Sequence, residues 1–197
     1  MSDRQDDPSV PSYLAPLVGF RSRKAAQLCA FFALKQGGII DKLKLIKLVY
    51  LAERKFLSDW HRPMLFDEMF SLPHGPICSS TLNGIDGAIH SGVWDEYIAR
   101  NGNQIVGMKK FGRDDLDEVS DDEIDALEAT WTRFGEYSAS QLRNFTHEHC
   151  SEYTETSGRI PISYREVLEA VGYSAEEAEA VEREISEFRR EESLLLE

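Results

Sequence analysis

The sequence predicts a mainly α protein of the α+β class: a compact multi-helix domain carrying one small β-hairpin. Three observations predict it. Four Ser-x-x-Glu/Gln boxes, beginning at Ser120, Ser138, Ser163 and Ser174, each stand just ahead of apolar residues at helical spacing. The stretch 42–59 is apolar around most of a helical wheel, as a core helix must be. Asn101-Gly102 lies between the runs 94–100 and 104–110, and that dipeptide is the strongest short hairpin signal.

With 197 residues, 42% apolar and 29% charged, the chain has the length and composition of one folded unit with tails. No apolar run approaches the ~20 residues of a membrane span. The first residues lack a basic end followed by an apolar stretch, so they do not read as a signal peptide. Three cysteines (Cys29, Cys78 and Cys150), odd in number and far apart, fit reduced thiols in a cytoplasm. The expected organisation is a flexible arm over 1–20, a helical domain over 21–172 and an acidic helix over 173–197.

The arm is polar and proline-rich, with no period. A first helix fits 23–35, and Gly37-Gly38 stops it. Asp41 caps a second helix that runs to about Asp59, before His61-Arg62-Pro63. On its wheel Lys44, Lys47, Arg54 and Lys55 share a narrow basic arc, and Glu53 falls on the apolar side. The stretch 64–72 reads as short extended structure. A third helix fits 77–90, although Gly84 and Gly87 weaken it, with Pro76 as its first residue. Beyond the hairpin the chain is helical, with stops at Gly135 and Gly172. The last helix has one thin apolar stripe (Ala178, Val181, Ile185 and Phe188), expected to pack on its own domain.

The net charge of −13 hides a sharp division. Residues 1–110 carry 14 Lys+Arg against 11 Asp+Glu, and residues 111–197 carry 8 against 24. The two halves can attract each other or meet partners of opposite sign. A basic strip on the first two helices suggests a DNA-binding transcriptional regulator as one alternative function. The overall sign argues against nucleic acid, because binding a phosphate backbone needs a basic footprint.

Catalytic and metal chemistry find little support. His147-Glu148-His149-Cys150 looks like a ligand cluster, yet on a helix His147 and His149 diverge by about 200°. There is no Gly-x-Ser-x-Gly and no Gly-rich phosphate loop, so neither an enzyme nor a cofactor is expected. Pro73-His74-Gly75-Pro76 stands out instead. Two prolines stiffen the backbone around a glycine and set His74 on a corner, either as a turn into the next helix or as a displayed binding element. Glu53, an acid on an apolar face, needs a buried partner, for which Arg62 or His74 is expected.

Several segments together resemble the Panacea domain of SocA-like antitoxins and related phage-associated proteins. They are Lys47-Leu48-Val49-Tyr50-Leu51-Ala52-Glu53-Arg54, Arg62-Pro63 and Pro73-His74-Gly75-Pro76-Ile77, then Ser138-Ala139-Ser140-Gln141-Leu142 with Thr146-His147-Glu148, and Ile160-Pro161-Ile162. The resemblance implies a mostly helical, non-enzymatic antitoxin that binds and neutralises a cognate protein toxin. In the SocA-like branch it further implies a proteolytic adaptor that delivers the toxin to an AAA+ protease. The matching positions give the expected toxin-binding residues: Lys47, Tyr50, Glu53, Arg54, Arg62, His74, Gly75, Pro76 and His147.

Overall fold

A computed structural model describes residues 19–89, 91–108 and 113–195. The arm expected over 1–20 lies almost wholly outside these residues, as do His90, Lys109 and Lys110. Among the described residues, helices dominate and two three-stranded antiparallel sheets accompany them. The mainly α, α+β class is as expected. The β content is larger than one hairpin.

Helix α1 (Ser22–Lys35) is buried along most of its length and ends at Gly37 and Gly38, both at positive φ. Strand β1 (Ile39–Asp41) leads directly into α2 (Lys42–Trp60), with the Asp41 side chain accepting from the Lys44 amide at 3.1 Å. Helix α2 is the centre of the molecule. From Lys44 to Glu53 every residue is buried, because α1, β1 and two later helices, Asp121–Phe134 and Ala139–His149, pack around it. His61 closes it in a left-handed conformation, its ring nitrogen 2.6 Å from the Tyr173 hydroxyl.

Strands β2 (Met69–Leu72) and β3 (Gly75–Cys78) form a tight hairpin, with Leu72 opposite Gly75 and Ser71 opposite Pro76. Pro76 therefore lies in a strand and does not open a helix. Strand β3 is an edge of its sheet, where a residue without an N–H is tolerated. Pro161 repeats the solution in the other edge strand, β6 (Ile160–Ile162), which pairs with β2. The expected third helix shortens to α3 (Ser79–Ile85). Gly84 is needed within it, since a Cβ there would lie 2.0 Å from the Trp94 ring.

After α4 (Ser91–Trp94), strands β4 (Ile98–Asn101) and β5 (Gln104–Gly107) form the Asn101-Gly102 hairpin, and β5 also pairs with β1. Helices α5 (Asp121–Phe134), α6 (Ala139–His149), α7 (Tyr164–Ala170) and α8 (Ala175–Leu195) follow. Ser120, Ser138, Ser163 and Ser174 each accept from the backbone amide three residues on, and the Glu or Gln at that position returns the bond. Ala178, Val181 and Ile185 of α8 are buried on the domain, and Phe188 stacks on Phe66 at 4.8 Å. Arg189 donates to the Phe66 carbonyl at 2.5 Å and Glu192 pairs with Arg21. No helix among the described residues is long and apolar enough to cross a membrane.

Candidate functional site

The 73–76 corner is the turn of the β2–β3 hairpin. Gly75 sits at φ +95°, and a side chain there would meet Thr146 Oγ1, Lys47 Nζ and the His147 ring at 2.8, 2.9 and 3.1 Å. The corner thus rests on α2 and α6 with no space between. Lys47 Nζ donates to the Pro76 carbonyl at 2.7 Å, which ties the hairpin to the core helix. Burial lowers the Lys47 amine to about 7. Pro73 and His74 remain exposed at the tip.

Beside the corner runs a cleft of about 840 Å³. Leu43, Ile46, Leu72, Ile77 and Leu82 supply apolar lining, with Lys42, His74, Asp86 and Arg143 among its polar residues.

Tyr50 and Arg54, one turn apart on α2, converge on Glu152. The Tyr50 hydroxyl and Arg54 Nε each donate to Glu152 Oε1 at 2.6 Å, and an Arg54 terminal nitrogen reaches Oε2 at 3.2 Å. The Glu152 side chain has no exposed surface. This network joins α2 to the segment after α6. Sequence reasoning missed Glu152, because it lies in irregular structure and no periodic signal marks it.

Glu53 is fully buried, as its place on the wheel requires. Its partners are neither Arg62 nor His74. The two carboxylate oxygens accept from the backbone amides of Met64 and Leu65 at 3.0 and 3.1 Å, fixing the chain after α2. Arg62 is exposed, with its guanidinium 5.6 Å from the Phe56 ring centroid. Asp67 does the same work and was not foreseen: it is buried and accepts from the Ser80 and Thr81 amides, holding the start of α3.

Burial pushes the Glu53 carboxyl up to about 8, against the downward pull of the two amides. Glu53→Gln replaces one acceptor oxygen with an NH₂ that faces a backbone N–H. We expect it to destabilise the fold by about 1–3 kcal/mol. A group with a raised folded pKa stabilises most below its unfolded value, here 4.5, and the contribution is lost as pH rises through about 8. The cost of the substitution should therefore shrink between pH 5 and pH 8 in denaturant titrations. A cost that grows over this range would refute the assignment.

The expected toxin-binding residues thus divide by exposure. Lys47, Tyr50 and Glu53 have no exposed surface and act by holding the corner, Glu152 and the 61–65 segment in place. Gly75 and Pro76 are buried, Arg54 and His147 are half-buried, and Arg62 and His74 are exposed. Only the exposed and half-buried members present surface that a docked protein could touch. His147 packs on Tyr153 at 4.4 Å, whereas His149 lies against Phe145 at 4.6 Å. No group of three or more metal-ligating side chains occurs among the described residues. The three cysteines are free and buried, and burial raises each thiol above its ordinary value.

The basic arc expected on α2 is not a surface strip. Lys44 and Lys47 are buried beneath α6, β3 and the end of α5, and Lys44 Nζ donates to the Gly135 carbonyl at 2.5 Å. The other cations of the front half pair mainly with the acidic back half. Lys24 meets Glu123, Arg23 meets Asp117, Lys35 meets Glu128 and Arg54 meets Glu152. Much of the front half's positive charge is thus matched within the fold.

Fold and site together define a small α+β domain whose stiff hairpin corner, pinned on a buried lysine, borders an open cleft. The chain belongs to the family described as antitoxin SocA-like, Panacea domain, whose model matches residues 45–153, more than half of its length. The matched region runs from α2 through the corner and α6 to just past Glu152, and contains all nine expected site residues. Membership supports an antitoxin-type role and a protein partner. No curated protein and no solved structure matches the chain.

Proposed function

We propose that the chain is the antitoxin of a toxin–antitoxin pair, binding its cognate protein toxin at the corner and cleft. Binding neutralises the toxin; the antitoxin contributes no catalysis and needs no cofactor. The observation that carries this reading is the corner itself. Its exposed tip is held by Lys47 and the close seat of Gly75, so a partner meets a surface already ordered. The finer form of the proposal adds delivery of the bound toxin to an AAA+ protease. The internal pairing of the front-half cations speaks against the alternative of a DNA-binding regulator.

Co-expression with the product of the neighbouring gene, followed by co-purification, tests the reading. His74→Ala should weaken toxin binding and leave the melting temperature nearly unchanged, since His74 is exposed. Equal losses of binding and stability would assign His74 to packing. Toxin lifetime in cells with and without the protease tests the adaptor role. A sequence-specific shift of duplex DNA at physiological salt would overturn the proposal.

A further inference from the structure

Most cations of the front half are matched within the fold, but a group around the corner is not. Lys47, His74, Arg143 and His147 form no salt bridge among the described residues. Lys47 and His147 both come within about 3 Å of one point beside Gly75. Arg143 lies one turn before His147 on α6. Its Nε and the His147 Nε2 are each shut off from solvent with no hydrogen-bond partner, a costly state for a polar atom. Burial first, then the charges of Arg143, Lys47 and His74, lower the His147 imidazole, with Glu155 acting in the opposite sense.

The cleft, which Arg143 lines, also favours an anion. The first residues of both α2 and α6 line it, and helix N-termini carry partial positive charge. Its two acids are engaged: Asp41 caps α2, and Asp86 pairs with Lys42 and Arg100. On a chain of net charge −13, Arg143 brings to this cleft a positive charge that forms no salt bridge among the described residues. The apolar lining offers a seat for a protein side chain that a phosphate backbone would leave unfilled.

We propose that the cleft recognises an acidic segment of the partner protein, with one carboxylate seated against His74 and Arg143 and a neighbouring apolar side chain against Leu43, Ile46 and Leu72. The inference rests on the toxin-binding reading and adds the chemistry the toxin must present. A carboxylate there gives Arg143 a charge-assisted partner that the folded chain does not supply.

The test uses the full chain and the protein encoded by its neighbouring gene, both intact and as immobilised overlapping peptides. Retained peptides should contain Asp or Glu beside an apolar residue and should lose retention when the acid becomes Asn or Gln. Arg143→Gln should weaken binding of both the intact toxin and these peptides about tenfold. Arg143→Lys, which keeps the charge, should retain part of the binding and controls for misfolding. If the toxin binds the Gln variant as well as wild type, or if the retained peptides are neutral or basic, acidic recognition is wrong and toxin binding still stands. If the intact toxin does not bind the wild-type chain, both readings fall. Competition by duplex DNA that disappears with Arg143→Gln would reassign the cleft to phosphate and overturn the proposal.

Discussion

Glu152→Ala is expected to destabilise the protein by about 3–5 kcal/mol, the usual cost of removing one member of a buried ion pair. Two groups lose their acceptor at once. Arg54 keeps its charge in a site where its side chain is 19% exposed, and Tyr50 is left with a fully buried hydroxyl. Burial and the Glu152 charge hold the Tyr50 phenol protonated, so the hydroxyl stays a donor in need of an acceptor. Glu152→Gln keeps one acceptor oxygen and should cost less. Joint replacement of Arg54 and Glu152 by methionine should recover part of the loss, because no stranded charge remains. Denaturant titration reads all three, and a Glu152→Ala midpoint equal to wild type would show the network to be energetically idle.

Gly75→Val is expected to cost about 3 kcal/mol or more, from two separable causes. A β-branched residue at φ +95° is strained whatever surrounds it. The added Cβ also meets Thr146 and Lys47 under 3.0 Å, and Lys47 cannot swing away without breaking its bond to the Pro76 carbonyl. Gly38 separates the two. It lies at φ +101° with nothing within 4 Å of a Cβ, so Gly38→Val reports strain alone. The excess loss of melting temperature at Gly75 over Gly38 measures the tightness of the seat. Equal losses would mean that the corner has room to give.

What could be read from the sequence was mostly what neighbouring residues decide together. The serine boxes signal helix starts because donor and acceptor lie three residues apart, and Asn101-Gly102 signals a turn because its own backbone angles make it. Strands of three or four residues carry no such signal. The strands β1 and β6 exist because β5 and β2 lie beside them. Pro76 misled for a related reason: the residue suits a helix start and an edge strand alike, and only its pairing partner decides. The wheel placed Glu53 inside correctly but could not reveal that its partners are backbone amides, which every sequence segment offers. Lys44 and Lys47 formed a convincing solvent-facing arc until α6 and β3 covered it. The candidate site was legible as a set of residues, whereas its division into supports and contacts depended on burial.

The fastening of α8 bears on how the chain is made. Its anchors join Arg21 to Glu192 and Phe66 to Phe188 and Arg189, contacts that close over more than a hundred residues of intervening sequence. During synthesis the partners near Arg21 and Phe66 emerge from the ribosome long before their covering helix. Until residues 188–192 follow, Phe66 remains unroofed and the Phe66 and Asp67 carbonyls lack the Arg189 donor. Closure of such distant contacts comes late, since loop entropy must be overcome before they form. A newborn molecule therefore passes through an interval with an adhesive apolar face, and chaperones would meet that form before the finished one.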